Sequence, residues 1–106
     1  MLKRLIHVPH HAEDFLIDEL SREPELFVRY EQNTLHAIDR VKKIKLQYFI
    51  EQLTLYRNLI SESVDRMSVI AFAFQSIGCI HQCERVKEMI YHADKYIFMA
   101  NKYLIK

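Results

Sequence analysis

The sequence predicts an all-α fold: a helical bundle of four to five helices that ends in a long, heptad-patterned helix. Three observations carry this expectation. The 106 residues include one glycine and two prolines, where average usage gives roughly seven and five. Strand-rich folds need glycine at their turns, so a chain this poor in turn residues has few connections. Apolar residues also recur at three- and four-residue spacing over most of the length, the period of a helix face. Finally, half the residues are apolar and 27% charged, an ordinary balance for a folded protein rather than a disordered one. The length suits one domain, residues 1–106.

The first residues read as irregular. Pro9 fits the first turn of a helix, where its missing N–H is not needed. Glu13 and Asp14 follow at the positive end of the helix dipole. Ala12, Phe15, Leu16 and Leu20 then make one apolar stripe, which predicts a helix over 9–20. S-R-E-P-E at 21–25 is a restart, with Ser21 as a cap and Pro24 in the first turn. The second helix runs to about residue 32, and Asn33 caps a third that begins at Thr34. Leu35, Ile38 and Val41 lead, with a shift of phase, into Leu46, Phe49, Leu53, Tyr56 and Ile60, giving a helix over 34–61. The capping residues of S-E-S-V-D-R-M-S, 61–68, mark the next boundary.

In the last third Val69, Phe72, Ser76, Cys79, Cys83, Val86, Ile90, Ala93, Ile97, Ala100 and Leu104 follow a 3-4 spacing without a slip, a heptad seam. A second row, Met89, His92, Tyr96, Met99 and Tyr103, lies beside it. An unbroken helix over 66–104 would be about 58 Å long, against a radius of gyration near 13 Å for a compact domain of this size. The helix therefore breaks or kinks at 75–79, around Gly78; the competing architecture is an intertwined homodimer. The apolar surplus beyond the seam (Phe72, Phe74, Ile77, Ile80, Phe98, Ile105) also points to some oligomer, a homodimer being the expected one.

Composition narrows the function classes. Residues 1–33 carry seven acids and four bases, and residues 34–106 eleven bases and seven acids. This polarity is too mild for a dedicated nucleic-acid binder. The longest uncharged apolar stretch is too short to span a bilayer, and the N-terminal one too short for a signal peptide. A cytoplasmic protein without membrane association is expected, with its two cysteines reduced.

Few segments suggest chemistry. G-C-I-H-Q-C-E-R-V, 78–86, holds both cysteines with His81 between them. At a spacing of four the cysteines share a helix face and His81 points elsewhere, so one helix cannot bring all three to a tetrahedral metal. Small buried hydrophobes on the seam is the plainer reading. H-V-P-H-H with Glu13 and Asp14 gathers His7, His10 and His11 near two acids, but apart from His10 with Asp14 the spacing matches no helical ligand pair. Neither segment predicts a bound metal, and no cofactor motif is present. R-V-K-K-I-K offers Arg40, Lys42, Lys43 and Lys45 as candidate nonspecific phosphate contacts, with a solvated basic face as the plainer reading.

R-V-K-E-M-I-Y-H, 85–92, resembles the R-x(4–6)-H signature of HEPN domains. That family is all-α and of similar size, and many members are metal-independent RNases, often toxins. The resemblance implies that Arg85 stabilises charge at a scissile phosphate while His92 transfers a proton. Val86 stands where the family commonly has a polar residue. D-F-L-I-D-E-L-S-R-E-P-E-L-F-V-R-Y looks like the opening of small antitoxin-type regulators, which implies a helical nucleic-acid-binding regulator.

Without a catalytic set on the residues themselves, the leading expectation is a small interaction protein: an adaptor, inhibitor or regulatory subunit that presents a helical face to a protein partner. Met89, Tyr96, Met99 and Tyr103 are its expected interaction residues, since Tyr and Met serve well as anchors in a partner's groove.

Overall fold

Helices account for nearly all of the chain that the computed structural model describes, residues 10–104, with side chains from Asp14 onward. In order they are α1 (His10–Leu20), α2 (Arg22–Lys43), α3 (Gln47–Ser76) and α4 (Ile80–Leu104), and no strand occurs among the described residues. Pro9, and the side chains of His7, His10 and His11, lie outside this description. No described helix is long and apolar enough to cross a membrane.

Pro24 separates α1 from α2. It has no N–H to give the carbonyl of Leu20, and its ring crowds that carbonyl. The break is slight. Ser21 stays near helical angles (φ −79°, ψ −10°), its amide bonds to the Ile17 carbonyl, and its own carbonyl accepts from Glu25. The Ser21 hydroxyl also donates to the Ile17 carbonyl at 2.7 Å instead of capping α2. α1 and α2 thus follow one another almost without a link, and three long rods result.

These rods pack antiparallel in sequence order. Near one end of the α2–α3 pair Arg40 reaches Gln52, and toward the other Glu23 meets Ser63 and Arg66. Arg57 in turn donates to Asn101, which sets the α3–α4 register. The molecule is a rod of 57 × 21 × 16 Å. One apolar cluster joins Phe27, Ile60, Met67, Phe74, Cys83, Val86 and Ala93; a second, toward the α2–α3 link, joins Ala37, Ile38, Val41, Leu53 and Ala100. Burying each of the larger side chains contributes about 1.5–3 kcal/mol.

The break at 75–79 falls where the sequence placed it. Gly78 has φ +83°, the one positive φ of the described backbone. Its amide donates to the Gln75 carbonyl, and the Cys79 amide donates to Phe74. This is a Schellman turn, which uses two of the last carbonyls of α3. The Cys79 carbonyl then accepts from the Cys83 amide and opens α4.

Other expected boundaries are corrected. No helix ends at Asn33: α2 runs through it to Lys43. Thr34, expected just after a cap, is buried and back-bonds to the Tyr30 carbonyl at 2.7 Å within the helix. The helix expected over 34–61 is split at Ile44–Leu46. There Ile44 and Leu46 are extended, and the Leu46 amide donates to the Ile44 carbonyl. The boundary expected at 61–68 is absent. Ser68 back-bonds to Val64, and Ser63 bonds across to Glu23. The seam holds from Cys83 to Leu104 but not before Gly78: Val69 and Phe72 are exposed, because the turn resets the helical phase.

An added methyl at Gly78 meets nothing within 4 Å, so only the backbone opposes a substitution there. Gly78→Ala should lower the unfolding free energy by about 1–2 kcal/mol, read as a lower urea midpoint at constant m-value. An unchanged midpoint would contradict the turn geometry.

Candidate functional site

The functional side chains expected on α4, Arg85, Met89, His92, Tyr96, Met99 and Tyr103, lie within about 80° of one another around the helix. Asn101, held by Arg57, marks the side that meets α3. At 100° per residue, Met89 and Tyr96 lie well over 100° away from it on one side, the side of α2. Met89 lines a cavity there with Pro24 and Val28. Met89 and Tyr96 are half-buried against the first apolar cluster, Met99 and Tyr103 against the second. The row expected to meet a partner is therefore largely occupied in joining α4 to its own bundle.

His92 alone in that row is exposed. Its ring meets Tyr91 edge-on at 5.4 Å between centroids. It also lies close enough to Glu31 of α2 to interact electrostatically, and Glu31 in turn acts on Tyr96. Burial raises the Glu31 pKa above its ordinary value, and attraction to His92 opposes this. The Tyr96 phenol is raised too, first by burial and then by the Glu31 charge. Arg85 lies seven residues before His92, two turns along the same side of α4, about 10 Å away. Arg85 lines the 240 Å³ cavity between α2 and α4 together with Ser21, Glu25, Gln82 and Phe74; His92 does not.

The basic residues collect at one end of the rod. Arg40, Lys42 and Lys43 occupy the last turn of α2, and Lys45 sits in the link. All four are exposed. Arg40 donates to Gln52 and Lys43 pairs with Asp39. The sequence expectation had placed all four within one helix, and the link at 44–46 overturns that.

Cys83 is buried in the first cluster and Cys79 packs against it, while His81 is exposed. The cysteines thus serve the packing of α4. Among the described residues no group of three or more His, Cys, Asp or Glu side chains stands together as a metal could use it.

The sequence names Phe72, Ile80 and Phe98 as apolar surplus, but it does not join them with Tyr91 into one face. Ile80, Tyr91 and Phe98 lie about 60–80° beyond Asn101, in the direction away from α2. They are 55%, 79% and 68% exposed. On α3, Phe72 is 70% exposed. It lies about 60° beyond Arg57, on the side turned from the Ser63–Glu23 contact. The Arg57–Asn101 register sets Phe72 level with Val86, between Ile80 and Tyr91. Four large apolar side chains thus share one outer face of the α3–α4 hairpin. The signal was legible in the 11- and 7-residue spacings of Ile80, Tyr91 and Phe98, but the unbroken seam had assigned Phe72 to the core.

No family model, curated protein or solved structure matches this chain.

Because the folded state holds the Glu31 proton more tightly than the unfolded chain, stability falls as pH rises from the ordinary value of 4.5 through the raised one. Glu31→Gln removes that loss. The melting temperature of Glu31→Gln minus that of the native protein should increase from pH 4 to pH 7. A difference that is flat or decreasing would show that Glu31 is not buried against α4.

Proposed function

We propose that this is a small interaction protein, an adaptor, inhibitor or regulatory subunit, that works by presenting a helical face to a protein partner. The observation that carries the reading is the outer face of the α3–α4 hairpin, where Phe72, Ile80, Tyr91 and Phe98 are each more than half exposed. An aromatic side chain carries about 150–250 Å² of surface, so the four leave about 500 Å² of apolar area in water. That is the upper end of what a monomer exposes, and such patches mark interaction sites. The face proposed thereby moves from the Met89–Tyr103 row to the opposite side of α4.

Photo-cross-linking tests this reading. A benzophenone side chain placed at Tyr91 or Phe98 should capture a protein in the native host, giving discrete bands of higher mass. The same group at Leu55, which is 53% exposed on another side of α3, should not. Equal capture at all three positions, or none at Tyr91 and Phe98, would refute the assignment.

A second reading has one observation in its favour. Arg85 and His92 are both exposed on the same side of α4, with Glu31 interacting with His92, as a metal-free RNase of HEPN type would use them. The purified protein should then cut RNA in the presence of chelator, and His92→Ala should not. Intact RNA with the native protein removes this reading.

A further inference from the structure

Along the exposed stripe of α4 the charges are ordered as well as the apolar groups. Ile80, Tyr91 and Phe98 run down its middle. Glu84 and Lys95 lie on one edge, the edge away from α3; Lys87 and Asp94 lie on the other, by their helical phases. All four charged residues are exposed. Among the described residues Glu84 pairs with Lys87, at 3.7 Å with both side chains more than half exposed, a pair worth little.

This order is self-complementary. When two α4 helices are laid antiparallel about a two-fold axis, residues on the same edge face each other. Setting Ile80 level with Phe98 of the second copy brings Glu84 within about 1.5 Å of the level of Lys95 and Lys87 within about 4.5 Å of that of Asp94, with Tyr91 about 3 Å from the axis. This register brings the apolar middles together and opposite charges near one another on both edges, each contact made twice, while exposed Glu88 stands near its own copy at the outer rim. A two-fold interface requires that the same patch serve both partners, and the two opposite-charge pairs are centred within about two residues of the Ile80–Phe98 pair.

The area agrees. A stable interface removes about 800 Å² from each partner, of which somewhat more than half is apolar. The 500 Å² offered by Phe72, Ile80, Tyr91 and Phe98 is close to that amount.

We infer that the occupant of this face is a second copy of the chain, docked through antiparallel α4 helices in the register Ile80 to Phe98 and Glu84 to Lys95. The inference rests on the reading of the face as a docking surface and names what docks there.

Sedimentation equilibrium of the full chain, over about 1–100 µM, tests it. The native protein should show twice the 12.8 kDa chain mass. Tyr91→Glu and Phe98→Glu should sediment as monomers of unchanged helicity, and Leu55→Glu should remain dimeric. Glu84→Lys alone and Lys95→Glu alone should each weaken the dimer about tenfold, because two pairs become repulsive. The two together should restore it. A monomeric native protein, or a dimer indifferent to Tyr91→Glu and Phe98→Glu, overturns the inference; so does failure of the double charge exchange to rescue. Cross-linking from Tyr91 to a different protein, with the native chain monomeric, would overturn the dimer and leave the docking face standing.

Discussion

The structure depends on reversing two long helices within three residues. α3 and α4 bury their faces mainly against each other, and α2 adds to the hairpin they form. That reversal is made at Ile77–Cys79 by a backbone whose central φ is +83°, a conformation that a β-carbon disfavours. The chain has one glycine, and it stands there. Cys79 closes the end of α3 with its amide and starts α4 with its carbonyl, so a single residue belongs to both helices. The helical phase is reset in passing, which turns Phe72 outward while Phe74 enters the core.

A polar contact complements this turn at the start of α2. The Glu23 carboxylate, with its side chain 13% exposed, accepts from the Ser63 hydroxyl at 2.7 Å and pairs with Arg66 at 3.1 Å. Ser63 is fully buried. A hydroxyl in that position needs a partner, since leaving it unsatisfied costs about 1–3 kcal/mol. In the observed placement of α2 against α3 the Glu23 carboxylate supplies it. The apolar clusters provide most of the stabilisation, and this contact fixes the sliding register between two rods that could otherwise slip by a turn.

What the sequence made legible follows from the same chemistry. The all-α class was readable because helix periodicity is a property of side chains alone. The Gly78 break was readable because a glycine marked it and an unbroken helix was too long for the domain. The Ile44–Leu46 break was missed because no glycine, proline or asparagine punctuates it; its trace was the phase shift after Val41. The false boundaries at Asn33 and 61–68 arose from Asn33, Ser63 and Ser68, which look like caps; α2 runs on through Asn33, and the serine hydroxyls bond to the preceding turn or across to Glu23. The outer face of the hairpin was hidden for a related reason. Periodicity locates an apolar stripe but does not say which of two stripes faces inward, and that is decided by where α2 docks.

The short reversal also bears on how this chain can fail. Two long helices that pack on one another, joined by three residues of which one is glycine, would form a single rod of about 87 Å if straightened. A straightened chain loses no core partner if a second chain straightens with it: α4 of each then packs on α3 of the other, with the same side chains in contact. Such domain exchange is an inexpensive route to intertwined dimers when a hinge is strained. By taking the positive φ, Gly78 favours the folded-back α4 over such an exchange.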